Sequence, residues 1–369
     1  MIAKRKCTIT IDERVVVDDS YCERQQELNG LAKVSLRATV AIRLIATVGL
    51  LLITISQELL AAEAPASPAQ SLIVVVGAGG NPQYEISFYQ WSERWEAAAK
   101  LGGVATTIIG RHRGEGKIEV PDYDRLRDAI KQAEGDVNSE LWLVFIGHGT
   151  FDRRSAKFNL RGPDLSAEEL AEWLKPVKRP TSIIDCTSGS GPFIPILSGE
   201  NRVVVTATKS GTELNFSRFG DHLSQAISDP AADLDKDQQT SLWEAFLMAS
   251  RRTAEYYDTD GRIATEHALL EDNGDKQGVR ADQFRGLAAI VKQTTGHSLD
   301  GHRAHQWHLV RNDTDARISP ETRARRNQLE LALEQLRDRK DALAVAAYTS
   351  ELERLLIELA ELNESLERE

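Results

Sequence analysis

Short hydrophobic runs alternate with amphipathic stretches from residue 71 onward. The runs are rich in Val, Ile and Leu and predict five strands: LIVVVG (72–77), VATTIIG (104–110), LWLVFIG (141–147), TSIIDC (181–186) and RVVVTAT (202–208). Apolar residues three and four positions apart predict helices at SFYQWSERWEAAAKLG, YDRLRDAIKQA and AEELAEWLK, and near 216–228, 240–256 and 280–293. Nearly continuous hydrophobic strands that alternate with helices are typical of a mostly parallel sheet covered on both faces. The pattern therefore predicts an α/β fold.

The chain beyond residue 320 is long, charged and free of Gly and Pro. Two apolar seams run along it, and they are out of register with each other: Leu329, Leu333, Leu336 and Leu343 form one, and Val345, Tyr348, Leu352, Leu355, Leu359, Leu362 and Leu366 form the other. Steps of three and four residues are the spacing of a helix–helix contact. We expect an α-helical hairpin or a coiled coil that mediates oligomerisation or partner binding.

The N-terminal part contains an uncharged apolar run at 44–55, preceded by Arg37 and Arg43 and followed by a stretch of small residues that includes Ala62 and Ala64. A basic flank, an apolar centre and a small-residue exit are the parts of a secretory signal peptide. The run is short for a spanning helix, which needs about 20 residues. The sequence predicts export, with this run either cleaved as a signal peptide or retained as a membrane anchor.

The overall composition limits the classes of partner. A formal net charge of −11 argues against nucleic acid as the main partner, because phosphate binding needs a clustered positive surface. The Gly-rich turn GAGGN after the first strand lacks the third spaced glycine of a dinucleotide site and has no Walker lysine. We expect no cofactor.

Cysteine usage points to one position. Cys7 and Cys22 both precede the apolar run, so signal cleavage would leave Cys186 as the remaining thiol. Exported proteins usually pair their thiols or omit them. A lone thiol in such a protein is either buried and inert or retained for its reactivity.

A histidine and this cysteine each follow a predicted strand. His148 comes directly after LWLVFIG, and Cys186 ends SIIDC, ahead of TSGSG. The exits of neighbouring parallel strands lie side by side, and ligands bind at that edge of the sheet. An imidazole within reach of a thiol can remove its proton, and amides of glycine-rich loops can stabilise an oxyanion. We therefore predict a Cys–His dyad, with the amides of Gly149 and Cys186 as oxyanion donors.

The motifs GHGT and CTSGS, about forty residues apart, resemble those of the caspase-like cysteine peptidases. The likeness is closest to the branch of legumain and the catalytic subunit of the GPI transamidase. It implies a caspase-like fold, with His148 as general base and acid, Cys186 as nucleophile and Gly149 as oxyanion donor. The chain would then divide into an extension (1–70), a catalytic domain (71–296), a linker (297–319) and a C-terminal helical region (320–369).

The resemblance also suggests substrate contacts, at position 207 and Ser210 in the stretch TATKS, and at two acids. Legumains hold asparagine with an arginine after the first strand, an acid two positions before the nucleophile and a further acid downstream. Here the first segment offers Glu85, Ile184 stands two before the cysteine, and Asp221 is the counterpart of the downstream acid. A pocket with Glu85 or Asp221 and no compensating arginine would favour cleavage after Arg or Lys.

Two further features have both a metal-binding interpretation and an ordinary one, and the ordinary one is favoured. The acidic turns DTDG (258–261) and EDNGD (271–275) have the oxygen-rich character of calcium sites, but neither completes a twelve-residue calcium loop. The histidines of HRAHQWH (302–308) have helical spacing without a fourth zinc ligand nearby, which favours packing around Trp307.

Three functions remain open on the sequence alone. The first is an exported endopeptidase that acts on peptide or protein substrates through a thioacyl intermediate. The second is a transamidase or transpeptidase that uses the same dyad. The third is a catalytically silent caspase-like scaffold assembled by its C-terminal helices.

Overall fold

The computed structural model describes residues 70–111, 120–135, 139–285, 288–290 and 298–366. The apolar run at 44–55 and the first two cysteines lie outside the described residues. Within the described residues, no helix combines the length and the apolar character needed to cross a bilayer.

A seven-stranded sheet forms the centre of the fold. Its strands are β1 (Gln70–Val76), β2 (Ala105–Ile109), β3 (Glu140–Ile146), β7 (Thr181–Asp185), β8 (Arg202–Thr206), β9 (Leu269–Glu271) and β10 (Val279–Arg280). Their order across the sheet is β10-β9-β8-β7-β3-β1-β2. The pairs β1–β2, β1–β3, β3–β7 and β7–β8 are parallel, and β9 runs antiparallel to β8 and β10. Three shorter strands, β4 (Gly149–Phe151), β5 (Ala156–Phe158) and β6 (Leu165–Ser166), form a small antiparallel sheet beside the exit of β3.

Helices cover both faces of the sheet. The helices are α1 (Pro82–Leu101), α2 (Asp122–Gln132), α3 (Ala167–Leu174), α4 (Ile194–Leu197), α5 (Phe219–Ala226), α6 (Leu242–Thr259), α7 (Asp313–Arg317), α8 (Pro320–Asp338) and α9 (Val345–Leu366). Apolar residues of α1, α5 and α6 form one core layer with one face of the strands, and those of α2, α3 and α4 form a second layer with the other face. The predicted mostly parallel α/β sheet with helices on both faces is confirmed.

Alternation along the central strands separates the two layers. Val144 and Ile184 point into the α1 layer, whereas Leu143 and Ile183 point into the α2 layer. A strand that is buried on both faces needs apolar residues at every position, which explains the unbroken hydrophobic runs of the sequence.

Local signals fix where helices begin. Asn81 accepts a hydrogen bond from the Tyr84 amide ahead of Pro82 at the start of α1. Ser241 and Glu244 form a capping box at the start of α6. Such side chains satisfy backbone N–H groups that have no partner inside the helix.

The helix predicted near 280–293 is wrong. In its described part the chain forms a 3-10 turn at Ala281–Gln283 and the short antiparallel strands β11 (Phe284–Arg285) and β12 (Ala288–Ala289). In the sequence, a glycine at position 286 lies within the predicted helix, and glycine is a poor helix former.

The C-terminal region is a helical hairpin. The two leucine seams meet, since Leu329, Leu333 and Leu336 of α8 form one apolar cluster with Leu355 of α9. The preceding segment, predicted as a linker, is packed against the α1 layer, where Trp307 is buried.

Candidate active site

The exits of β3 and β7 put the two predicted catalytic side chains on one face of the sheet. Phe145 pairs with Asp185, so Cys186 stands level with Ile146, two residues before His148. Strands about 4.8 Å apart with a rise of about 3.3 Å per residue would put the two Cα atoms roughly 8 Å apart. The thiol belongs to the α1 layer, and the imidazole contacts aromatic residues of that same layer.

The imidazole of His148 is surrounded by aromatic side chains. Its ring centroid is 4.8 Å from that of Tyr84, 5.2 Å from that of Phe88 and 6.2 Å from that of Phe216. Its Nε2 lies 3.2 Å from the carbonyl oxygen of Gly79. Because a carbonyl oxygen only accepts, this contact places the proton on Nε2 and leaves Nδ1 with a free electron pair.

Cys186 is covered by helix α5. Its exposure is 1%, and a Cβ placed on Gly220 of that helix would lie 2.6 Å from the cysteine Cβ and 3.1 Å from its Sγ. Burial raises the pKa of the Cys186 thiol, and the charges of Asp185 and Glu266 raise it further. In this conformation the sulfur is therefore a protonated, inaccessible thiol.

His148 and Cys186 are not hydrogen-bonded to each other in this conformation. Among the described residues, the imidazole hydrogen-bonds to the Gly79 carbonyl, and no hydrogen bond joins it to the thiol. The predicted use of the Cys186 amide as an oxyanion donor is also wrong for this state, because that amide donates to the Phe145 carbonyl at 2.9 Å as part of the sheet.

Gly149 lies where the loop after β3 meets the loop after β7. A Cβ at this position would lie 2.3 Å from the Ser188 carbonyl oxygen and 2.6 Å from Thr187 Oγ1. The chain after His148 thus packs directly on the chain after Cys186, which explains the glycine.

Asp185 shapes the loop from the opposite face of the sheet. It is buried, and its Oδ1 accepts the Thr187 amide at 2.9 Å. Burial raises the pKa of this carboxyl to about 6, although the hydrogen bonds from Thr187 oppose that rise.

The start of α5 is held by Glu266, which the sequence analysis did not identify. This buried carboxylate accepts hydrogen bonds from the Ser217 hydroxyl at 2.6 Å, the Arg218 amide at 2.9 Å, the Phe219 amide at 3.1 Å and the Tyr257 hydroxyl at 3.0 Å. It lies far along the chain from α5, with no motif around it, and no local pattern could have identified it.

Glu85 lines a cleft of about 510 Å³ at the exits of β1 and β2. Its carboxylate lies 3.5 Å from the guanidinium of Arg161, and Arg111 also lines the cleft. The expectation of an acid without a compensating arginine is wrong here, because Arg161 arrives from a distant part of the chain.

Asp221 is likewise paired, with Arg94 of α1 at 2.5 Å. The charge argument for cleavage after Arg or Lys therefore no longer holds at either acid. Position 207 is Ala207, a fully buried core residue without a polar group to offer substrate. Ser210 lies in an exposed turn, where its hydroxyl is 2.9 Å from that of Thr212.

A group able to hold a metal ion was missed in the sequence. Asp233, Asp235 and Asp237 offer ligand atoms within 4.8 Å of one another. With Glu244 they occupy positions one, three, five and twelve, the order used by calcium loops, in which position six is normally glycine. Here that position is Gln238, with φ of 72°, and this departure from the glycine conceals the motif.

Two of the three histidines in HRAHQWH contact carboxylates from other parts of the chain. His302 pairs with Asp338 of α8 at 3.1 Å, and His305 pairs with Asp235 at 3.0 Å. These contacts join the segment before α7 to helix α8 and to the loop that carries Asp235.

No protein-family model and no curated protein matches the sequence. Among solved structures, the chain is similar to the Drosophila initiator caspase Dronc, with a TM-score of 0.39 and 12% identity over 58% of this chain and 83% of that one. The assignment to the legumain branch stays a prediction.

Proposed function

We propose that the chain is a cysteine endopeptidase of the caspase-like type, with His148 and Cys186 as its dyad, and that the described conformation is its closed form. The observation that carries the proposal is the position of both side chains at the exits of neighbouring strands, on the same face of the sheet. Close packing of Gly149 on the loop after Cys186 supports it.

The tautomer of His148 that suits the Gly79 contact also suits this role. With its proton on Nε2, His148 can take the thiol proton at Nδ1. The thiolate then attacks a peptide carbonyl, and the imidazolium returns the proton to the leaving amine. Water hydrolyses the thioester and releases the acid; an amine in its place would make the same site a transamidase.

Catalysis requires that α5 withdraw from the sulfur. The aromatic side chains around His148, those of Tyr84, Phe88 and Phe216, would then line the substrate channel, with the Gly149 amide facing the oxyanion. Export, a peptide or protein substrate, and assembly through the C-terminal hairpin belong to the same proposal.

A second candidate, the catalytically silent scaffold, is favoured by the burial of Cys186 and by the raised pKa of its thiol. In that case the cysteine is a small apolar core residue.

Peptide-library turnover separates the two candidates. The wild-type full-length chain should cleave substrate, whereas Cys186→Ala and His148→Ala should each lose activity by about 1000-fold or more. His305→Ala, a histidine outside the site, is the matched control and should retain activity. Equal turnover by all four proteins, or none by any, would reject the peptidase.

A further inference from the structure

Apolar side chains lie beside the loop that follows Cys186. Leu214 is 58% exposed and lies in the turn that follows β8. A Cβ on Gly189, in the loop after Cys186, would lie 3.4 Å from the Leu214 side chain and 3.8 Å from the Cβ of Phe151 in β4. The Gly189 amide donates to the Glu213 carbonyl oxygen at 2.8 Å, which fixes the turn against that loop. Phe151 and Leu214 therefore form an apolar patch next to the proposed nucleophile.

A second apolar group surrounds the histidine. The rings of Tyr84 and Phe216 stack with their centroids 4.6 Å apart, and the Phe88 ring lies 6.3 Å from the first and 6.1 Å from the second. Phe88 is buried, whereas Tyr84 and Phe216 are half-buried. The surroundings of His148 are therefore aromatic and partly open to solvent.

Charged side chains in the same region are compensated inside the protein. Glu213 contacts His267 Nδ1 at 2.6 Å and lies 3.5 Å from the ammonium of Lys209. The Arg218 guanidinium lies over the Tyr256 ring, 4.1 Å from its centroid. Two further ion pairs belong to the acids described above: Glu85–Arg161 and Asp221–Arg94. A charge that already has a partner of opposite sign attracts a second ion only weakly.

We propose, on the premise of the proposed function, that the peptidase cleaves beside large aliphatic or aromatic residues. Exposed apolar side chains that adjoin one another mark a binding surface, and here they flank both members of the dyad. An apolar substrate side chain gains free energy when such a surface removes it from water. A charged side chain would lose hydration there without gaining a partner.

A peptide library varied at the two positions that flank the cleaved bond tests this specificity. With the full-length chain, an aromatic or large aliphatic residue at one or both positions should give a kcat/KM about tenfold or more above that for a basic, acidic or amide residue. The ratio of the two rates is the readout, because a change in the amount of folded enzyme alters both rates equally.

Leu214→Lys should lower this ratio for apolar over acidic peptides by about tenfold, since it places a cation on the apolar patch. The side chain is exposed, so the substitution should leave the fold intact. Leu234→Lys is the matched control, because Leu234 is a comparable leucine with 48% exposure outside the site, and it should keep the wild-type ratio.

The outcomes separate this specificity from the proposed function. Cleavage that depends on Cys186 but favours a charged or amide residue at both positions, or shows no preference, would overturn the apolar specificity and leave the peptidase in place. A wild-type ratio in Leu214→Lys would overturn the role of the patch. If no peptide is cleaved in a manner that depends on Cys186, the proposed function is rejected and the specificity with it.

Discussion

Single residues at the predicted dyad are constrained by contacts that leave no room for a side chain. Gly149 faces the backbone of the loop after Cys186, and Gly220 faces the thiol itself. In both places a methyl group would have to displace main chain or core, which a packed interior resists. The site is thus built from close approach of chain segments as much as from its reactive groups.

Gly149→Ala should therefore destabilise the protein by about 2 kcal/mol or more, through overpacking against Ser188 and Thr187. Gly135→Ala is the matched control, because a Cβ there meets no atom of the described residues within 4 Å. Urea unfolding measures both. Equal stability of the two variants would show that the loops can separate at little cost.

Among the elements, helix α8 is attached to the domain by a partly buried ion pair. Arg326 binds Asp315 of α7 through two hydrogen bonds of 2.7 and 2.9 Å. Burial alone would raise the pKa of Asp315, but the hydrogen bonds and the charge of Arg326 outweigh it and hold the pKa at about 2. Protonation of this carboxylate weakens the attachment.

Because the pKa of Asp315 is shifted in the folded protein, the contribution of this ion pair to stability depends on pH. Since the folded pKa is below the ordinary value, the stabilisation is complete above about pH 4 and is lost as the pH falls from about 4 to about 2. Its size is about 2 kcal/mol. The difference in unfolding free energy between wild type and Arg326→Met should shrink over this range, whereas the exposed Arg325→Met should show no such trend. A pH-independent difference for Arg326→Met would contradict the role of the pair.

For the molecule as a whole, access to Cys186 depends on an opening that many contacts resist. Glu266 holds the start of α5 with bonds to the backbone and to Tyr257, and α5 covers the thiol. Hydrogen bonds to a buried charge contribute about 1.5–3 kcal/mol each. Local opening, rather than the intrinsic reactivity of the sulfur, should then limit its chemistry.

Glu266→Gln should speed alkylation of Cys186 by about tenfold or more, because it weakens the attachment of α5. The rate is measured by mass spectrometry on the peptide that contains Cys186, which separates it from Cys7 and Cys22. Glu255→Gln, an exposed change on α6, is the control. A rate that stays at the control value would mean that the thiol is reached by another route.

The sequence predicted the main strands and most of the helices, but it did not predict which side chains from distant segments pair with each other. Glu85 and Asp221 were expected to lack arginine partners, yet Arg161 and Arg94 reach them, the latter from 127 positions away. Nothing in the spacing of residues encodes such a pair. The acidic loop that begins at Asp233 did carry a local pattern, concealed by the glutamine in place of its glycine.

The sequence by itself determined the order of the five parallel strands and of the longer helices beside them, and the placement of His148 and Cys186 after two of these strands, because side-chain alternation and strand ends are properties of short segments. Only the tertiary structure decided that these strands are neighbours, that α5 seals the sulfur and that the acids near the site are neutralised. Those outcomes depend on which distant segments pack together, and that is set by the free energy of the whole core.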